Sequence, residues 1–205
     1  MNNKPYLDAG RLFFGLLGLS AIVTEIAVLV ERGSFAPFHF FSYFTILSNL
    51  AAGLFLVLYS RSTKRKPTQQ RAVDLIRGAI TLYMGMTGVI FAVLLANIEG
   101  ATLTAVPWDN IVLHYIMPII IVFDWLLNPP KNSIAFKQSL VWLLFPLAYV
   151  TYSLVRGSMV SWYPYPFLSP TEYGYGQVFI TSAIMLAGII GVIWLLIQRA
   201  GARQR

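Results

Sequence analysis

Six apolar stretches, each close to the ~20 residues an α-helix needs to cross a bilayer, leave this chain few ways to fold. They run over roughly 9–30, 40–60, 73–97, 108–127, 138–155 and 176–198. Inside hydrocarbon, backbone N–H and C=O groups find no water and must bond within their own segment. The stretches therefore read as helices. The expected fold is an all-α integral membrane protein, a bundle of six transmembrane helices forming one domain over 1–205. Charged residues make up 11% of the chain, against about 25% in an ordinary soluble domain, so no separate soluble domain is expected. The first stretch lacks a small-x-small cleavage site and is interrupted by Glu25, which predicts a retained helix rather than a cleaved signal peptide.

Basic residues set an orientation. Thirteen of the fifteen Lys and Arg fall in the termini and the even-numbered loops. They include Arg61, Lys64, Arg65, Lys66, Arg71 and Arg77 in one linker, Lys131 and Lys137 in another, and Lys4, Arg11, Arg199, Arg203 and Arg205 at the ends. Only Arg32 and Arg156 lie on the other side. The positive-inside rule then predicts a multi-pass protein of the cell membrane, plasma or inner, with both termini cytoplasmic. The net charge of +7 sits beside the apolar stretches, where it suits anionic lipid headgroups at the cytoplasmic face rather than nucleic acid. Cysteine is absent and histidine occurs twice, as His39 and His114. This excludes disulfides, thiolate metal sites and cysteine nucleophiles.

Ionisable residues within a span are costly and need a reason. With this orientation, Glu25 in the first helix and His114 in the fourth both lie ~9 Å below the outer surface. Thr45 and Asn49, in the stretch FSYFTILSNL at 41–50, fall in the same band. Ser42, Thr45 and Asn49 are spaced to share one stripe of the second helix, and Asn110, His114, Met117 and Ile121 one stripe of the fourth. Pro118 deprives the His114 carbonyl of its helical donor and predicts a kink. Asp124 lies ~15 Å deeper than His114, where a hydrogen bond near the cytoplasmic interface accounts for it. Each polar residue also has a plain structural use: Ser and Thr bond back to the preceding turn or join helices, and Glu25 can pair with a neighbour. His39 reads as interfacial. The loop SWYPYPFLSPTEYGYG at 161–176 is either an interfacial aromatic belt or a lid, and Glu99, Pro107, Trp108 and Asp109 read as an outer loop. The small residues Gly174, Gly176, Ala183, Ala187, Gly188 and Gly191 would permit close packing of the last helix.

A hydroxyl and an imidazole at one depth are the minimum for nucleophilic acyl transfer. Thr45 would attack an ester while neutral His114 removes its proton and then passes it to the leaving alcohol. Glu25 or Asn110 would hold the base, and Asn49, Asn110 or a backbone N–H would stabilise the oxyanion.

Three segments add a resemblance. YFTILSNL at 43–50, DNIVLHYIMPIIIVFDWLL at 109–127 and WYPYPFL at 162–168 resemble corresponding segments of the androgen-induced and androgen-dependent integral membrane proteins. These are threonine hydrolases of fatty acid esters of hydroxy fatty acids, and the chain looks like a short bacterial branch of them. The resemblance implies a membrane lipid or acylated lipid as substrate and an acyl-threonine intermediate, with no metal or cofactor. It maps the nucleophile onto Thr45 and the catalytic histidine onto His114. A different class of function stays open: a small transporter or lipid-binding accessory factor with a polar path through Glu25, His114 and Asp124.

Overall fold

A computed structural model describes residues 5–61, 66–96, 104–130 and 132–200. Among them all regular secondary structure is helical, without strands. The elements are α1 (Pro5–Glu31), α2 (Pro37–Phe40), α3 (Phe44–Arg61), α4 (Pro67–Leu95), α5 (Pro107–Leu127), α6 (Phe136–Val160) and α7 (Pro170–Arg199). Five of them, α1, α4, α5, α6 and α7, are long and apolar enough to cross a membrane, and α3 is a shorter apolar helix. The expected end of the third stretch at 97 lies outside the described residues, as do Glu99 and the basic residues Lys4, Lys64, Arg65, Lys131, Arg203 and Arg205.

Helix starts differ from the apolar stretches for a local reason. Hydropathy marks where a helix turns greasy, whereas capping marks where it begins. In α4, Pro67 occupies the first turn and the Gln69 side chain accepts the Lys66 backbone N–H at 3.0 Å. The helix therefore opens six residues before the expected 73. In α6, Gln138 accepts the Ala135 N–H at 3.2 Å. At the second stretch the correction has the opposite sign. The chain makes the short α2 and a turn, and α3 begins only at Phe44, so Thr45 sits in a first helical turn rather than within a continuous helix from 40.

The chain divides into two compact units, Met1–Asn128 and Pro129–Arg205. In the first, α1 lies against α3, and α4 against α5. The α1–α3 approach is close because Gly15 and Gly53 meet there: a Cβ at Gly15 would stand 3.0 Å from the Gly53 carbonyl oxygen. The core between these helices holds Ala21, Ile22, Leu56, Met84, Leu113, Met117 and Ile121, all nearly without exposure. Below it, Asp124 accepts from Arg11 Nη2 at 2.7 Å and Arg77 Nη2 at 3.0 Å. Both guanidinium groups also lie over the Tyr59 ring, at 4.7 and 5.5 Å. Arg77, expected in a linker, is instead a buried helical residue tying α4 to α5.

In the second unit, the aromatic loop folds onto α6. Trp162 takes the Arg156 guanidinium at 5.1 Å, Tyr165 neighbours Tyr149 and stacks on Phe167, and Tyr163 fills the space above Gly157, where a Cβ would overlap its ring. In α7, Gly174 departs from helical geometry at φ 75°. Of the small residues expected to permit close packing, a Cβ at Gly174, Gly176, Gly188 or Gly191 would meet nothing within 4 Å among the described residues.

Candidate functional site

The site grows out of an irregularity in α5. Pro118 has no N–H, and residues Val112–Ile116 form a π-turn in which the Met117 N–H reaches back to the Val112 carbonyl. One extra residue is thus inserted just before the proline, and the Leu113 carbonyl loses its helical donor. Asn49 supplies the replacement. Its Nδ2 donates to Leu113 O at 3.0 Å and to Thr45 O at 2.9 Å. One fully buried amide therefore fastens the first turn of α3, with Thr45, to the π-turn carrying His114.

His114 is 6% exposed. Its Nδ1 lies 3.2 Å from the Asn110 carbonyl oxygen. A carbonyl can only accept, so Nδ1 carries the proton, and in the neutral ring Nε2 is the free lone pair. Phe91 stacks on the imidazole, with ring centroids 4.1 Å apart and planes 26° from parallel. Phe91 itself opens a second π-turn, Phe91–Leu95, at the end of α4. π-turns within helices occur frequently at functional sites, and here one from each helix contributes to a single ring stack.

The remaining polar residues close the arrangement. Thr45 is 7% exposed, and its carbonyl also accepts from Ser48 Oγ at 3.2 Å. Ser48 shares a 2.9 Å hydrogen bond with Thr87, joining α3 to α4. Ser42 Oγ donates to the Phe38 carbonyl at 2.5 Å. Glu25 Oε1 accepts the Ala105 N–H at 2.7 Å. Asp109 is fully buried, and neither of its carboxyl oxygens has a hydrogen-bond partner among the described residues.

Several sequence expectations change in detail. Asn49 was a candidate oxyanion donor, but Leu113 and Thr45 already engage its Nδ2, and its unpartnered Oδ1 is only an acceptor. Glu25 was a candidate partner for the base, but the Asn110 carbonyl holds the imidazole while Glu25 accepts from the Ala105 N–H. Asn110 thus acts through its backbone. His114 Nδ1 bonds to the Asn110 carbonyl. Asp109 was read as part of an outer loop, yet it is a buried member of the first turn of α5. Among the described residues no cluster of three metal-ligating side chains forms.

No family model matches the chain, and no curated protein or solved structure matches it significantly.

Proposed function

We propose that the chain is an intramembrane lipid-ester hydrolase of six spans, with both termini cytoplasmic, Thr45 as nucleophile and His114 as base. One observation carries the reading. Asn49 fastens the Thr45 turn to the π-turn of an imidazole whose Nδ1 proton is held by Asn110, leaving Nε2 free to take a proton. In the first step the Thr45 hydroxyl attacks the ester carbonyl as His114 takes its proton. The C–O bond to the leaving alcohol breaks, and that alcohol leaves with the proton. Water, activated by the same imidazole, then attacks the acyl-threonine ester, releases the fatty acid and restores Thr45. The Asn110 side-chain amide remains as an oxyanion donor. The buried, apolar surroundings suit a substrate whose ester lies just below lipid headgroups, and the resemblance of 43–50 and 109–127 points to fatty acid esters of hydroxy fatty acids.

The transporter or accessory-factor reading needs polar continuity from His114 to Asp124. Met117 and Ile121 occupy the intervening turns within the apolar core, and Asp124 is held by two arginines. This favours the hydrolase.

The test is turnover of a panel of lipid esters by purified protein in detergent, with a fluorophosphonate probe read at Thr45. Thr45→Ala and His114→Ala are expected to lose turnover and labelling, and Thr45→Ser to retain both. Folded wild-type protein that neither turns over any ester nor labels would overturn the reading, and ion and lipid flux in liposomes would then be measured.

A further inference from the structure

Phe91 has no part in the acyl-transfer chemistry, yet it makes the closest aromatic contact to the base. Its ring is 2% exposed. It lies face-on to His114 at 4.1 Å and edge-on to Tyr115 at 5.1 Å, with an interplanar angle of 78°. Two successive residues of one π-turn therefore contact a single ring. Tyr115 itself is 43% exposed, whereas Phe91 and His114 are buried.

The Asn110 hydrogen bond fixes only part of the imidazole's geometry. It decides which ring edge faces the carbonyl, because a half-turn about χ2 would replace Nδ1 with a carbon. It leaves the ring plane free to rock, since terminal torsions of this kind are broad. A parallel aromatic face removes that second freedom and does not select between the two edges. The two contacts are complementary, and together they define one orientation of Nε2.

We propose that Phe91 is a positioning residue for His114, confining the ring to the plane in which Nδ1 meets the Asn110 carbonyl and Nε2 is presented for proton transfer. The consequence for turnover rests on the hydrolase reading; the consequence for the imidazole does not.

The fold supports this assignment. Gly88, one turn before Phe91, permits α4 to approach α5, because a Cβ there would stand 2.9 Å from the Pro118 ring and 3.7 Å from the His114 carbonyl oxygen. The closeness of the two helices is set immediately beneath the stack, and the π-turn beginning at Phe91 ends the regular part of α4 at the level of the imidazole.

The experiment compares wild type with Phe91→Leu and Phe91→Tyr. Leu is apolar and only slightly smaller but lacks the flat face; Tyr keeps it. The chain has only two histidines, so 15N-histidine NMR of the detergent-solubilised protein shows two imidazoles, assigned with a His39→Gln variant. Wild type is expected to hold neutral His114 as the single Nδ1–H tautomer; in Phe91→Leu the ring rocks out of line with the Asn110 carbonyl, that hydrogen bond weakens and the tautomers average, and Phe91→Tyr restores the wild-type pattern. In the ester assay, Phe91→Leu is expected to lower kcat by about five- to tenfold with KM unchanged, the scale of one lost ring contact, and Phe91→Tyr to recover most of it. A Phe91→Leu protein that keeps the single tautomer would overturn the proposal, as would a Phe91→Tyr protein, folded by its Tm, that behaves like Phe91→Leu. Averaged tautomers in Phe91→Leu, with no ester turned over by wild type, would sustain the positioning role and remove the hydrolase reading.

Discussion

Asn49 accounts for the polar cluster at 41–50 more concretely than depth or periodicity does. Its amide stands in for the backbone donor that Pro118 and the π-turn remove from Leu113. A buried acceptor left without a partner costs about 1–3 kcal/mol. Asn49→Ala is therefore expected to lower stability on that scale, and Asn49→Asp to fare no better because a carboxylate cannot donate to two carbonyls. Pro118→Ala returns an N–H to the helix and lets the extra residue relax, so Asn49→Ala should be milder in that background. A double-mutant cycle by chemical denaturation in detergent checks this, and strict additivity would contradict the account. Much of the site was legible at this scale: burial of Glu25, Thr45, Asn49 and His114 followed from polar residues inside apolar stretches. The choice of partners was not. Whether an amide donates to an oxyanion or to a stranded carbonyl depends on a helix irregularity that Asn49 itself does not announce.

The element that misled a periodicity count is α5. A stripe of Asn110, His114, Met117 and Ile121 assumes 3.6 residues per turn without interruption, but the π-turn inserts one residue between the first pair and the second. The most deeply buried line therefore runs through Asp109, Leu113, Met117 and Ile121, while His114 turns to meet Phe91 on α4. Asp109 was assigned to a loop because Pro107 and Trp108 beside it read as interface. Pro118 marked the disturbance in the sequence, whereas nothing in FAVLL at 91–95 signals the matching π-turn of α4. The contact between these helices gives a test at their own scale. At Gly88, even a Cβ meets Pro118 at 2.9 Å, so Gly88→Val must part α4 from α5 and separate Phe91 from His114. The expected outcome is a lowered Tm together with loss of the single His114 tautomer and of ester turnover. Gly85→Val, three residues earlier, provides the control, because a Cβ there meets only Val122, at 3.9 Å. Equal behaviour of the two variants would show that the close approach at Gly88 does not hold the stack.

For the whole molecule, the question is how many times the chain crosses the membrane. Apolar length made legible the five helices long enough to cross, and these helices carry exposed apolar side chains suited to lipid, such as Phe179, Ile184 and Trp194 on α7. The sixth rests on α3, whose 18 residues span about 27 Å as a straight α-helix, slightly less than a typical ~30 Å hydrocarbon core. Basic residues argue that α3 crosses, because Arg32 before it stands apart from the basic cluster after it. The absence of cysteine makes the test direct, since a single introduced thiol is the only one present. With both termini cytoplasmic and six crossings, Ser34→Cys and Ser158→Cys should react with a membrane-impermeant maleimide on intact cells. Thr68→Cys and Lys137→Cys should react only after permeabilisation. If Ser34→Cys and Thr68→Cys label from the same side, α3 does not cross. Thr45 and Asn49 would then be carried by a helix that enters the bilayer and returns, and the proposed nucleophile would have to be reconsidered together with the depth at which its ester is met.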